Sequence, residues 1–194
     1  NLPINRSHSL KLEAKSRTTN PNMGLLQDVV NMSSTSNVRT GNSALDPAYL
    51  NEVELRYVYT DKKNGSSLSF IADLTSSPNY FCDSLVIDSP DFEIMDGVKL
   101  GENNQFVKPV NLKGYYKFYT KASYTIPIPW IRCNFNVGAA VSLRQIPSMV
   151  NGTHVPVNKD WYQLGGGLDS NISKNIDFRV GYDARYTSNE YNGK

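Results

Sequence analysis

Ile131-Arg132-Cys133-Asn134-Phe135-Asn136-Val137-Gly138-Ala139-Ala140-Val141-Ser142-Leu143-Arg144 alternates almost without error between apolar and polar side chains. Ile131, Cys133, Phe135, Val137, Ala139, Val141 and Leu143 fall on one parity. Arg132, Asn134, Asn136, Ser142 and Arg144 fall on the other, with Gly138 and Ala140 neutral among them. Successive side chains of a strand point to opposite faces, so this pattern predicts one strand between an oily and an aqueous medium. It is about as long as a strand crossing a bilayer at a tilt of roughly 45°. What supplies the oil, a protein core or lipid, decides the fold.

The chain has 194 residues and a formal net charge of +2, which gives no global pull towards nucleic acid. Mean hydropathy is -0.44. No apolar run reaches the roughly 18 residues of a spanning helix, whereas a membrane barrel tolerates a low average because half of each strand is polar. Twelve tyrosines lean towards β structure. Cys82 and Cys133 are too few for a disulfide framework, and Cys133 reads as a small apolar residue on its strand. The chain starts at Asn1 without an initiator Met and stops just after a strand pattern. It is therefore expected to be a piece of a longer protein.

Working outward, Leu10, Leu12 and Ala14 alternate with Lys11, Glu13 and Lys15, predicting a strand over about 7–18. A polar stretch over 19–48 follows, with one helical turn near 24–30 and turn signals at Gly41-Asn42 and Asp46-Pro47. Val53–Tyr59 and Leu68–Leu74 alternate on either side of Asn64-Gly65, the preferred two-residue hairpin turn. That turn would set Arg56 opposite Asp73, Tyr57 opposite Ala72 and Tyr59 opposite Phe70. A second long stretch covers 76–105, with a short strand at 80–87. One strand is expected over 106–126, ended by Ile126-Pro127-Ile128-Pro129 because proline cannot donate to a ladder. After the strand at 130–145, a loop over 146–158 leads to a strand at 161–172. Ser173-Lys174-Asn175 turns the chain into a last strand, apolar at Ile176, Phe178, Val180, Tyr182, Ala184 and Tyr186. A tight turn there puts Asp169 opposite Arg179 and Gly166 beside Tyr182.

Alternation alone cannot say whether the oil is core or lipid, since a soluble sandwich buries the face that a membrane barrel shows to lipid. Three features favour lipid. Connections one, three and five are long (about 30, 30 and 13 residues) while the others are tight. Several strands exceed the five or six residues typical of soluble proteins. Aromatics gather near strand ends at Tyr57 and Tyr59, Tyr124 and Trp130, and Tyr182 and Tyr186. The fold expected is all-β: antiparallel up-and-down strands of a transmembrane β-barrel, incomplete here at about seven or eight strands.

Several segments resemble the barrel of TonB-dependent outer-membrane receptors of the Bacteroidetes type. Pro21-Asn22-Met23-Gly24-Leu25-Leu26-Gln27-Asp28-Val29-Val30-Asn31 is similar to that family's P-x-x-x-x-L-Q-x-x-V-x-N segment. Thr40-Gly41-Asn42-Ser43-Ala44-Leu45-Asp46-Pro47-Ala48-Tyr49 resembles its x-G-N-P-x-L-x-P-x-Y segment, with Ser43 in place of the usual proline. Val53–Tyr59 sits where the family has its Leu-Arg-Tyr strand. Asn111, Tyr124-Thr125-Ile126-Pro127-Ile128 and Val150-Asn151-Gly152 resemble its N-x-x-G, Y-x-x-P-L and ING motifs. The resemblance covers nearly the whole chain, and its motifs are structural signatures without chemistry of their own. It implies a receptor that imports a siderophore, glycan or peptide-class nutrient. It also implies a plug domain and TonB contacted through parts outside this sequence, outer-membrane lipid as surroundings, and a possible surface lipoprotein as partner. No cofactor, enzymatic activity or nucleic-acid partner is expected. A soluble β-sandwich or adhesin-like module is the alternative, and an outer-membrane barrel enzyme is a third reading that would need a clustered Ser, His or Asp site.

No catalytic constellation stands out, and no Cys/His spacing suits zinc. His8 and His154 read as polar surface residues. Gly165-Gly166-Gly167 lacks the lysine and helix of a phosphate loop. It reads as a bend in a strand, or a place where an aromatic such as Tyr182 covers bare backbone. Lys113, Lys117, Lys121 and Arg144 form an expected lumen-facing basic stripe, with Arg144 brought near Lys113. Its functional reading is an anionic substrate or acidic plug residues, and its bland reading is pairing with wall carboxylates and water. Tyr80, Phe81, Asp91 and Phe92, in a long loop, are the candidate substrate-binding residues, since loops on a rigid scaffold commonly carry recognition.

Overall fold

The computed structural model describes residues 2–5, 7–34, 36–170 and 178–191. In chain order the strands are β1 (Leu2–Asn5), β2 (His8–Thr19), β3 (Asn37–Arg39), β4 (Ala48–Thr60), β5 (Ser67–Ser77), β6 (Tyr80–Ile87), β7 (Glu93–Met95), β8 (Val98–Lys99), β9 (Gln105–Leu112), β10 (Tyr115–Ile128), β11 (Cys133–Ile146), β12 (Met149–Val150), β13 (Thr153–His154), β14 (Val157–Ser170) and β15 (Arg179–Tyr191). One helical turn, α1, covers Met23–Leu26, capped by the Asn22 side chain on Leu25 N at 3.0 Å. Among the described residues no helix is long and apolar enough to cross a membrane.

Eight strands form one antiparallel sheet in the order β1-β2-β4-β5-β10-β11-β14-β15. No pairing joins β1 to β15 among the described residues, so the sheet is open. A second sheet, β13-β12-β6-β9-β3, and the β7-β8 hairpin are made from the long connections. Three connections that looked like separate loops in the sequence thus fold into one platform at one end of the wall. Parallel pairings of β3 with β9 and of β12 with β6 tie the three together.

Wall strands keep one apolar parity across the whole sheet. Leu12, Leu55, Ala72, Thr120 and Val141 follow one another across the ladders, as do Tyr57, Phe70, Ala122, Ala139 and Leu164. These side chains are not covered by protein. Leu12 is 69% exposed, Leu164 62% and Val180 64%. Phe135 and Phe178 are exposed as well, and Val141 is only half-buried. A soluble sandwich would bury this face against a second sheet, and none packs on it among the described residues. The apolar core lies in the platform instead: Val38, Leu100 and Phe106 are buried, with Val30, Val86, Phe92 and Ile94 packed against them.

Aromatics on the outward parity lie in two bands. Tyr57, Tyr59, Tyr124 and Tyr182 lie towards the tight-turn end, and Tyr49, Tyr116, Tyr162 and Tyr186 towards the platform end. Eight residues separate Tyr116 from Tyr124 on β10. At about 3.3 Å per residue along a tilted strand, that spacing approaches the roughly 25 Å apolar band of outer-membrane barrels.

Four details differ from the sequence reading. The expected strand over 106–126 is two strands: β9 joins the platform and β10 the wall, parted at Lys113-Gly114, where Gly114 has φ +98°. The β4–β5 connection is longer than Asn64-Gly65. Asp61 N donates to Ser66 O and Gly65 N to Asp61 O, each at 2.8 Å, and Thr60 with Ser67 is the last pair. Arg56 therefore faces Ile71, and Asp73 faces Glu54. The β10–β11 turn is longer too. Pro129–Ile131 forms a 3-10 turn and Arg132 takes a left-handed φ of 49°, so Arg144 faces Lys117 and not Lys113. Asp169 with Arg179 and Gly166 with Tyr182 pair as expected, while the turn at 173–175 and Ile176 lie outside the described residues.

Candidate functional site

The inward parity of the wall is polar and carries nearly all of its charge. Lys11 pairs with Glu13, Lys15 with Glu52 at 3.2 Å, Arg17 with Glu52 at 2.8 Å and Arg56 with Glu54 at 3.5 Å. Near the tight-turn end one network crosses four strands. Thr125 donates to Asn136 Oδ1 at 2.8 Å, Asn136 donates to Asp169 Oδ2 at 2.6 Å, and Arg179 donates to Asp169 Oδ1. These bonds hold adjacent strands in one register.

Beside that network lies an open trough of ≈ 540 Å³ over β10, β11, β14 and β15, lined by Tyr119, Lys121, Trp161, Gln163, Asp169 and Asp183 among others. Its floor is bare because Gly138, Gly165, Gly167 and Gly181 point inward. A Cβ at Gly167 would stand 2.7 Å from Val180 O, so the strands approach there only because that side chain is missing. Above the floor Trp161 packs between Tyr119, with ring centroids 5.9 Å apart, and the Arg185 guanidinium, 4.0 Å from the Trp161 ring centre. Trp161 escaped the sequence reading. The signal was present, because Trp161 shares the parity of Gln163, Asp169 and the small residues, not that of Tyr162 and Leu164.

A second cavity of ≈ 550 Å³, nearer the platform, is lined by Asp73, Lys117, Arg144, Lys159, Asp160 and Trp161 among others. A third, of ≈ 400 Å³, opens at the junction of wall and platform between Arg17, Glu52, Tyr80, Phe81 and Tyr115. There the Tyr80 ring stacks on Tyr115 at 4.1 Å and lies 5.9 Å from Phe81, nearly parallel to both.

The expected loop residues are not brought together. Tyr80 and Phe81 start β6 at the junction, whereas Asp91 and Phe92 lie beyond its far end. Asp91 pairs with Lys99 at 3.6 Å. Phe92 packs on Phe106 at 5.3 Å and helps close the platform core. Of the basic stripe, Lys117, Lys121 and Arg144 stand on inward wall positions, and Lys113 stands outside β10 at the turn between the two sheets. Lys159 belongs with them and was missed in the sequence, because the β11–β14 register brings it close only in three dimensions.

Asparagines latch the platform. Asp46 N donates to Asn111 Oδ1 at 2.9 Å, and Asn111 Nδ2 donates to Asp46 O at 3.0 Å and Asn79 O at 3.1 Å. Asn79 donates to Pro47 O at 2.6 Å and accepts from Tyr49 N at 3.0 Å. Asn42 donates to Pro109 O at 2.9 Å, and Asn151 bonds both backbone groups of Ile87 at 2.8 and 3.0 Å. Asp28 accepts from the Ser43 hydroxyl and from Ser43 N, which holds its carboxyl below the usual carboxylate range. Burial, and secondarily Asp83, pushes the Cys82 thiol up to about 12. Among the described residues no group of three or more His, Cys, Asp or Glu could hold a metal ion.

A family model described as the outer membrane protein beta-barrel family matches residues 1–194. The chain belongs to that family. Its outward apolar face is accordingly the lipid face of a wall in the bacterial outer membrane, and its polar face lines the lumen. No curated protein and no solved structure matches the chain significantly. The motif residues of 21–49, 111 and 151 prove to be latches: Asn42, Asn111 and Asn151 hold backbone across connections, and Gly41 N donates to Gln27 O at 3.0 Å.

Proposed function

We propose that this wall belongs to a TonB-dependent receptor that imports a siderophore, glycan or peptide-class nutrient. On this reading a plug domain and TonB supply gating and energy, and a surface lipoprotein is a possible partner at the platform. The observation that carries it is the pairing of an open eight-stranded wall with a folded platform. Lipid does not tolerate an unpaired sheet edge, so β1 and β15 call for further strands and a lumen wider than eight strands enclose. Wide barrels are either open porins or plugged transporters, and on this reading the lumen carries a plug. A platform with its own core suits capture at the outer surface better than a passive pore does. We further propose that Tyr80, Phe81 and Tyr115 contact the substrate as it passes from platform to lumen, and that the chain is not an enzyme.

The test is growth of a gene-deletion strain on single limiting nutrients, namely iron chelates, oligosaccharides and peptides. A deficit on one class, reproduced when TonB coupling is disabled in the intact strain, supports the reading. Equal growth on every nutrient, or uptake unaffected by the loss of TonB coupling, overturns it.

A further inference from the structure

Like charges meet on two patches of the lumen wall. On β2, β4 and β5 the acids Glu13, Glu54 and Asp73 stand directly opposite one another across two ladders. On β10 and β11 Lys117 and Arg144 are direct partners. Lys159 stands on β14 between Asn158, which faces Gln145, and Trp161, which faces Ser142. All three cations line the ≈ 550 Å³ cavity below the platform.

Like charges placed directly opposite on an antiparallel pair destabilise it. Elsewhere on the wall Lys11, Lys15, Arg17, Arg56 and Arg179 each have a carboxylate partner, while among the described residues Lys121 and Arg185 lack one, Arg185 being stacked on Trp161. Lys117, Arg144 and Lys159 have none within 4.0 Å among the described residues. Two carboxylates line the same cavity. Asp160 is taken up in part by the Arg144 backbone, whose N–H donates to its Oδ1 at 3.1 Å, and Asp73 stands on β5 among the acids. Three cations against two carboxylates leave an excess of positive charge here, beside an aromatic wall formed by Tyr119 and Trp161. It is concentrated at Arg144 and Lys159, since Lys117 also borders the cavity that holds Glu13, Glu52 and Glu54.

We propose that this cavity binds a small anion through a carboxylate or phosphate group held between Lys117, Arg144 and Lys159. A guanidinium offers a planar pair of donors to such a group, and two ammonium groups on neighbouring strands complete its charge. The inference deepens the import reading and rests on it: the transported nutrient carries an anionic group, and this is its first contact inside the lumen.

The test uses the full-length protein in detergent, with Trp161→Phe as the control that isolates the emission of Trp161. The probes are citrate and inorganic phosphate, with trehalose as the neutral control. Citrate or phosphate should change Trp161 emission saturably and trehalose should not, with affinity falling as sodium chloride rises. Lys117→Gln and Arg144→Gln should each weaken binding about tenfold, the size of one lost charge-assisted contact. Lys117→Arg should retain binding, which separates loss of charge from loss of fold. No saturable response to either anion, or equal affinity in Arg144→Gln and the parent, overturns the proposal. Growth that depends on TonB coupling, measured in parallel, shows whether the import reading survives that failure.

Discussion

Gly166 and Tyr182 sit directly opposite each other across the β14–β15 ladder, bare backbone against the most exposed tyrosine of the wall. Beside Gly166 the inward Gly167 leaves no room for a side chain against the β15 backbone, whereas at Gly165 the movable Asp183 carboxylate stands in the way. Gly167→Val should therefore disturb assembly far more than Tyr182→Ala. A Cβ 2.7 Å from Val180 O forces backbone apart and should cost about 1–3 kcal/mol, whereas losing the cross-strand ring should cost about 0.2–1 kcal/mol. Urea titration of the protein folded into lipid vesicles measures both.

The two faces should respond unequally to the same charge. Leu164 points outward and Gln163 inward on one strand. Leu164→Arg should destabilise by about 2–4 kcal/mol if it lies near the bilayer midplane, and Gln163→Arg by under about 1 kcal/mol. Equal losses in the same urea assay would contradict the assignment of the faces.

Asn111→Ala removes bonds to Asp46 and Asn79 that join the first and third connections. Leaving those backbone groups unpaired should cost about 1–3 kcal/mol, confined to the platform. Limited proteolysis should cut within 20–47 or 88–104 at least several-fold faster, while the wall keeps its resistance.

How far the sequence could be read depended on what each pattern can resolve. Side chains on a strand repeat every second residue, so alternation identified the wall strands and their faces but is blind to an even slip. Arg56 was expected opposite Asp73 and faces Ile71, because the turn at 61–66 is wider than Asn64-Gly65 alone. Arg144 missed Lys113 by four residues, because Pro129–Ile131 and Arg132 add a turn. Asp169 and Arg179 pair as counted from a tight turn, so there the register carried no slip. Of the platform only β6, expected as a short strand at 80–87, and the helical turn α1 were legible: its other strands are two to eight residues long, and its pairings join distant connections. The latching asparagines were visible only as motifs, and Lys159 and Trp161 only as residues on the polar parity.

Ser43 stands where the resembling motif has proline, and it supplies two donors to Asp28 that proline lacks. Asp28 is held below its usual value of 3.8, so the link is fully present above that pH and is lost as pH falls through the lower, folded value. Ser43→Pro should return the Asp28 carboxyl towards 3.8 and abolish that acid dependence. Carboxyl chemical shifts against pH check it.

With its thiol at about 12, Cys82 is almost wholly protonated at pH 8, with a thiolate fraction of about 10⁻⁴. Iodoacetamide should label it far more slowly in the folded protein than in urea, as read by mass spectrometry.

The platform borrows β3, β6 with β9, and β12 from three separate excursions of the chain, and β3 and β12 lie parallel to their neighbours. No single hairpin can build it. On the proposed orientation each excursion reaches the cell exterior as loose chain, and the small core around Phe106 can seal only after the β2–β4 and β5–β10 connections have met. Sealing then acts as a pawl on a ratchet: a loop knitted to its neighbours is too bulky to slip back through the bilayer, so the folding of the exterior makes insertion of the wall irreversible.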